Sequence, residues 1–427
     1  MRFRYVWIWA GISAFCTATR AQPTAVSLRE AQETALENHP RVAAAVLEAA
    51  ASGFATRQVR AAYYPLLSGN LTAVGSEHGA VLSAGAVTTS SIYSRTASGI
   101  VASQLLTDFG RTPSLERSAK LHNASRSQEV TNTRAGILVE VQEAYYAALA
   151  SQSVLKVAQA TLDLRQLTLR QVSALARSGL RSTIDVSFAE VNASQAQLDL
   201  FHAENDAKAS HARLSAAMGY DRDRPFALMD EALPPPLELD AEQLIAQALR
   251  DRPDLAALRL EHDSLESRAE AEKRLRNPVL TATAVAGVAP ERDPRLPEKY
   301  GAVGINVNIP VLNGGLFKAR QEEAEANAAA ADKDVENLSL EIARDVQVAW
   351  LAANDAFRRL DVTARMVTEA NEALRLAQAR YDAALGSIVE LNQAQLNQTA
   401  AQIAAASAKY EYLSRRADLN YVTGVLR

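Results

Sequence analysis

The sequence predicts a mostly α protein with a smaller β part, built twice from one helix–β-hairpin–long helix–helix unit. Three observations predict it. Between Arg111 and Ser178 the chain has no proline after Pro113 and no glycine except Gly136. Good helix formers fill this stretch, and its apolar residues keep a heptad beat: Val141, Ala148, Leu155, Leu162, Leu169, Ala176. A second row, Ala144, Ser151, Ala158, Arg165 and Val172, completes an a/d seam with one charged intruder. The same seam returns 205 residues later as Val346, Ala353, Leu360, Val367, Leu374 and Tyr381. Finally, four shorter stretches change from the helical period to a period of two.

The elements follow in order. Residues 1–21 read as a secretory signal: Arg2 and Arg4, an apolar run from Tyr5 to Phe15, then Thr19-x-Ala21 as a small-residue cleavage site. Cys16 is not expected to carry lipid, because the bulky Phe15 precedes it. The first repeat, 22–220, opens with a helix capped by Ser27. Pro40 then restarts a second helix. Strands follow over about 66–76 and 91–106, with a loop from Glu77 to Ser90. In the first strand Leu67, Gly69, Leu71 and Ala73 alternate with Ser68, Asn70 and Thr72. In the second, Tyr93, Ala97, Gly99, Val101 and Leu105 form the expected apolar face, against Thr96, Ser98, Ala102 and Gln104. A turn at Asp108-Phe109-Gly110-Arg111 starts a long helix, 111–178, and a return helix spans 183–219.

Residues 221–240, with Pro234-Pro235-Pro236, read as an extended linker. The second repeat, 241–427, copies the first: strands over about 279–288 and 300–309, a long helix over 315–384, a return helix over 388–424. In it Val303, Ile305, Val307 and Ile309 oppose Asn306 and Asn308. Strands of this length and dyad pattern suit a bilayer, which about 9–11 residues cross. Four strands do not close a barrel, so the chain must associate, and three copies would supply twelve.

Composition narrows the function. The 427 residues carry a net charge of −4, and removing 1–21 leaves 42 basic against 49 acidic residues, or −7. A mildly acidic chain is a poor nucleic-acid partner. Its single cysteine lies in the leader, so no disulfide is expected. Apart from that leader no segment approaches 18 uninterrupted apolar residues, so any membrane crossing must be by strands. No nucleophile–base motif, P-loop or GxGxxG appears, which predicts neither enzyme activity nor a cofactor. No histidine among His39, His78, His122, His202, His211 and His262 stands at ligand spacing from another, so no metal site is expected.

The residues also carry a family likeness over nearly all of Ser27 to Leu426. Its marks are Asn38-His39-Pro40, the strand-to-helix turn Asp108-Phe109-Gly110-Arg111, and two helix-hairpin tips. The tips read Gly179-x-x-Ser182-x-x-Asp185-Val186 and Leu385-Gly386-Ser387-Ile388-Val389-Glu390-Leu391. In this duplicated order they resemble the TolC-type outer-membrane efflux proteins of Gram-negative bacteria. The resemblance implies a homotrimer: a 12-stranded outer-membrane β-barrel in lipid, continued by a periplasmic α-helical coiled-coil tunnel. It implies a passive duct for efflux or type I secretion, whose tips meet a periplasmic adaptor protein and an inner-membrane pump. Rival readings are a periplasmic adaptor, which has one hairpin rather than two, and a structural coiled coil, which needs no strands.

The candidate gate and adaptor-contact residues are Gly179, Ser182, Asp185, Ala384, Gly386, Ser387, Glu390 and Gln393. Ala384 stands where the first tip has Gly179. Asp185 and Glu390 lie three residues after Ser182 and Ser387, the spacing of a capping box. By the resemblance, three-fold symmetry would gather the same acids into rings that constrict the entrance and attract cations. Gln393 stands where such an entrance can carry a further acid. Arg165 reads as a snorkelling or paired residue. Tyr63, Tyr64 and Tyr93 read as an interfacial belt or as packing.

Overall fold

A computed structural model describes residues 24–75, 81–84, 87–91, 94–224, 226–292 and 297–426. The signal segment, Cys16, His78 and Tyr93 lie outside these residues. The chain opens with a short strand β1 (Thr24–Val26), then α1 (Leu28–Asn38) and α2 (Pro40–Arg60). Ser27 and Glu30 close a capping box on α1, and Pro40 takes the first position of α2, where its missing N–H costs nothing. Strand β2 (Leu66–Val74) leads to a two-stranded ribbon, β3 (Val81–Ala84) with β4 (Val87–Ser91), inside the stretch expected as a loop. Strand β5 (Arg95–Thr107), the long helix α3 (Arg111–Arg177) and its return α4 (Thr183–Ala217) complete the first repeat.

After β6 (Phe226–Leu228) the pattern repeats: α5 (Ala241–Asp251), α6 (Pro253–Lys273), β7 (Val279–Glu291), β8 (Lys299–Asn308), α7 (Leu316–Asp382) and α8 (Ile388–Val422). The copies match in length. The long helices have 67 residues each and the return helices 35 each. At about 1.5 Å per residue each long helix runs roughly 100 Å. Among the described residues no helix is long and apolar enough to cross a membrane.

Strands β2, β5, β7 and β8 form one antiparallel sheet in that order. Directly paired residues share a face. Leu67 pairs Ala102, Leu71 pairs Ser98, Ala102 pairs Ala284, and Ala282 and Ala284 pair Ile305 and Val303. One face is therefore Leu67, Leu71, Ile100, Ala102, Ala284, Ala286, Val303 and Ile305. Ser68, Asn70, Ser103, Thr283 and Asn306 lie on the other. This corrects the expected face of β5: Ala97, Gly99 and Val101 pair Thr72, Asn70 and Ser68 on the polar side. Small residues occupy both faces of β5, so its own alternation is weak and its neighbours set the register. Both edges, β2 and β8, stand exposed, with Leu71 at 81% and Val303 at 86% accessibility.

Tyr300 lies across β7 and β5 on the polar face. It pairs Gly287, which pairs Gly99. A Cβ on Gly99 would sit 2.4 Å from the Tyr300 hydroxyl, and one on Gly287 2.5 Å from its Cζ. The two glycines thus make room for the ring, which covers backbone they leave bare.

The linker is not free. Phe226–Leu228 pairs in parallel with Thr24–Val26. The Tyr145 hydroxyl, on a fully buried ring, lies 2.7 Å from Met229 O and 2.9 Å from Val26 O. Lys409 reaches Asp230 at 2.7 Å, and the Tyr412 hydroxyl reaches Pro235 O at 3.1 Å. Beneath this strap is the main core: Val141, Tyr145 and Leu149 of α3 against Leu28, Ala31, Leu214 and Leu413. A second cluster places Val346 and Ala353 of α7 with Leu244, Ala248 and Leu419. Further along the hairpins, Leu162 packs on Ala196, Leu200 and Ala203. The seam therefore works within one chain, long helix against return helix.

Sheet and helices meet at two turns in the left-handed region. Phe109 and Gly110 have φ of 52° and 98°, and Gly314 and Gly315 have 61° and 86°. Buried Asp108 holds the first turn: its carboxylate accepts from Thr112 N at 2.7 Å, Thr112 Oγ1 at 2.6 Å and Gly110 N at 3.2 Å. Asn313 repeats the last contact by accepting from Gly315 N at 3.2 Å. Close by, the buried Glu272 of α6 takes Arg320 of α7 at 2.9 Å and Arg111 of α3 at 3.8 Å.

Candidate functional site

The two hairpin tips lie at the ends of the long helices, far along the chain from the sheet. Gly179 has φ 76°, and its neighbour Leu180 donates to Leu175 O at 2.9 Å. The second tip makes a similar turn without glycine. Ala384 adopts φ 59°, and Leu385 donates to Arg380 O at 2.8 Å. A left-handed alanine costs about 1–2 kcal/mol, which the surrounding turn must offset. Gly386 is tight: a Cβ there would lie 3.2 Å from Arg380 Cβ and from Glu390 Oε2.

The serines cap the return helices. Ser182 Oγ accepts from Ile184 N at 3.4 Å, and Ser387 Oγ accepts from Glu390 N at 3.1 Å. The reciprocal half of the expected capping box does not form at Glu390. Its carboxylate instead takes Arg380 Nε at 3.0 Å, because the preceding turn brings that guanidinium within reach. Gln393, exposed, donates to Asn397 Oδ1 at 2.9 Å.

The tips of the two repeats are tied to each other. Arg181, in the first turn, lies 4.1 Å over the ring of Tyr381 on α7 and donates to Tyr381 O. The Tyr381 ring is buried with Val172, Ala189, Ile388 and Leu391, and its hydroxyl has no partner among the described residues. Burial pushes that hydroxyl's pKa up, Arg181 opposes the shift, and Asp185 and Asp382 reinforce it. Asp185 is half-buried. Of the eight expected residues, the hairpins bring Ser387, Gly386 and Glu390 into one cluster. Arg181, Arg380 and Tyr381 belong to the tips but were not expected there. The signal was present: each turn has an arginine within four residues of its glycine or alanine, and Tyr381 ends the apolar seam.

Above the tips lies a polar layer. Arg165 is 4% accessible, so it does not snorkel, and among the described residues it has no carboxylate partner. It donates to Gln395 Oε1, and Gln395 donates to Thr168 Oγ1 at 3.2 Å. Burial alone lowers the Arg165 pKa. Higher still, the Glu143 carboxyl on α3 is pushed up to about 7. The largest cause is its hydrogen bond with Asp418 of α8, followed by burial, while Arg415 opposes. These two layers join α3 to α8 and so link the two hairpins of one chain.

A family model described as outer membrane efflux protein matches residues 31–220 and 244–425. The chain is 24% identical over 335 residues to the probable efflux pump outer membrane protein TtgC of Pseudomonas putida. That alignment covers 74% of this chain and 66% of TtgC, so the chain spans just under two thirds of that relative. It is 24% identical to the outer membrane protein TolC of Vibrio cholerae, over 77% of this chain and 76% of TolC. A solved structure of CusC, a transmembrane channel, superposes with a TM-score of 0.81 at 18% identity, over 93% of this chain and 92% of CusC.

Proposed function

This chain belongs to the outer membrane efflux protein family, and from that premise we propose that three copies form a passive exit duct through the outer membrane. The observation that carries the proposal is the four-stranded sheet with one apolar face and two unpaired edges, set on four long helices. An exposed strand edge invites pairing. Joining β8 of one copy to β2 of the next, three times, closes twelve strands and removes every edge. Leu67, Leu71, Val303 and Ile305 then face lipid, while Asn70, Thr283 and Asn306 line the lumen. Tyr63 and Tyr64, exposed just before β2, suit the interface belt. Below, the hairpins of three copies extend into the periplasm as a tunnel. The duct performs no reaction. An inner-membrane pump supplies the energy, and a periplasmic adaptor meets the tips.

Fractionation with chemical crosslinking tests this reading. The expected result is an outer-membrane protein that crosslinks to a trimer. A soluble monomer in the periplasmic fraction would overturn it.

The tips at Gly179, Ser182 and Asp185 and at Ala384, Gly386, Ser387, Glu390 and Gln393 are the proposed closed end and adaptor contact. Each copy brings an Arg380–Glu390 pair rather than a bare carboxylate, which eases the repulsion that three close anions would otherwise meet. Glu390→Gln leaves the Ser387 cap intact, since Ser387 binds the backbone N–H. The exposed ion pair contributes about 0–1 kcal/mol, so stability should change by no more than that. Block by multivalent cations in single-channel recordings should fall. Unchanged block would mean that the carboxylate serves Arg380 alone.

A further inference from the structure

Helix α6 carries His262, Asp263 and Glu266. One ligand atom from each lies within 4.8 Å of the others. The helix places Glu266 on one face with His262, four residues before it, and with Asp263, three before it, while the adjacent His262 and Asp263 meet only through their side chains. His262 Nδ1 already lies 3.2 Å from Asp263 Oδ1. Glu266 has no hydrogen-bond or ion-pair partner among the described residues. A cleft of about 910 Å³ opens over the cluster between α3, α6 and α7. Glu325 and Asp332 of α7 line it as well. Three cations also line the cleft, Arg117, Lys273 and Arg274, of which Arg274 is engaged with Glu270 at 2.9 Å.

We propose that His262, Asp263 and Glu266 form a binding site for a divalent transition-metal cation such as Zn²⁺ or Co²⁺, opening into this cleft. One imidazole nitrogen and two carboxylate oxygens form a donor set that these ions accept and that Mg²⁺ and Ca²⁺, which prefer oxygen alone, do not favour. Ligand bonds of about 2.0–2.2 Å bring tetrahedral donors roughly 3.5 Å apart. Binding would have to draw the donors closer than their present separations of up to 4.8 Å. Three protein ligands leave positions for water or for a carboxylate from α7. The site lies on the helical wall, away from the tips, and its existence does not depend on the duct reading.

The test uses the untagged full-length protein in detergent, stripped of metal and titrated with Zn²⁺ by calorimetry and with Co²⁺ by its visible absorption. The expected result is one ion per chain, with His262→Ala and Glu266→Gln each weakening binding at least ten-fold. Mg²⁺ at the same concentration should not compete. Both positions are on the surface of α6, so circular dichroism should show the variants folded like the parent. Absence of saturable binding, or binding that both variants retain, would overturn the assignment.

Discussion

Replacing Glu272 by alanine should cost about 1–3 kcal/mol, because the carboxylate is buried while Arg320 and Arg111 stay partly open to water. Glu272 is 6% accessible and stands between Arg320 Nε at 2.9 Å and Arg111 Nη2 at 3.8 Å. Arg111 Nε is itself buried without a hydrogen bond. Removing the carboxylate leaves two guanidinium groups near each other with no anion between them. The three residues start α3, end α6 and start α7, so the damage falls where the helices meet the sheet. Denaturant unfolding at fixed protein concentration measures it. Glu272→Met combined with Arg111→Met should lose less than Glu272→Ala, because no lone buried charge remains on α3. A change below about 0.5 kcal/mol in Glu272→Ala, the range of neutral surface substitutions, would show that the cluster is solvated and the assignment wrong.

The second large effect is expected at Leu162→Asp. Leu162 is 6% accessible and packs on Ala158, Ala196, Leu200 and Ala203 between α3 and α4. An unpaired carboxylate there costs several kcal/mol. The same position changed to alanine loses about 2–5 kcal/mol through the cavity alone. The aspartate variant should therefore lose assembled trimer and fold more completely than the alanine variant, as read by crosslinking and thermal melting. Equal melting of parent and aspartate variant would place Leu162 at the surface and remove the seam from the hairpin's core.

The long helices were legible because a heptad seam is a strong, repeated signal, and because the second copy repeats it in register. Val141 and Val346, equivalent in that pattern, are both fully buried. The edge strands were equally legible, since Leu67 and Leu71, or Val303 and Ile305, alternate with polar residues. Strand β5 was not, because Ala97, Gly99 and Ala102 differ too little in hydropathy to choose a face. The three-residue strand Phe226–Leu228 is too short for any period and exists through its partner Thr24–Val26. At the tips, helix-start chemistry was readable in Ser182 and Ser387. The fate of the acids was not, because Arg380 meets Glu390 only after the chain reverses. Arg165 looked exposed or paired because a buried cation without an anion is costly. Its carboxamide partner Gln395 lies 230 residues away. The i, i+4 spacing of His262 and Glu266 is visible in the sequence, but one such pair on a helix is too common to mark a site.

The equal lengths of the two repeats restrict how this protein can change over evolutionary time. Each residue added to an α-helix rotates everything beyond it by roughly 100°. A single insertion in α3 would turn Leu162 and the tip away from α4, and would leave α7 one step short of its counterpart. A heptad almost restores the phase, since 3.6 residues per turn nearly divides seven. Even a heptad must enter four helices together: α3 and α4, so that the hairpin still closes, and α7 and α8, so that Arg181 still finds Tyr381. Length should therefore be far harder to alter than sequence. Descendants of this chain can drift at most surface positions, but they should gain or lose reach only in whole-heptad blocks shared by both halves.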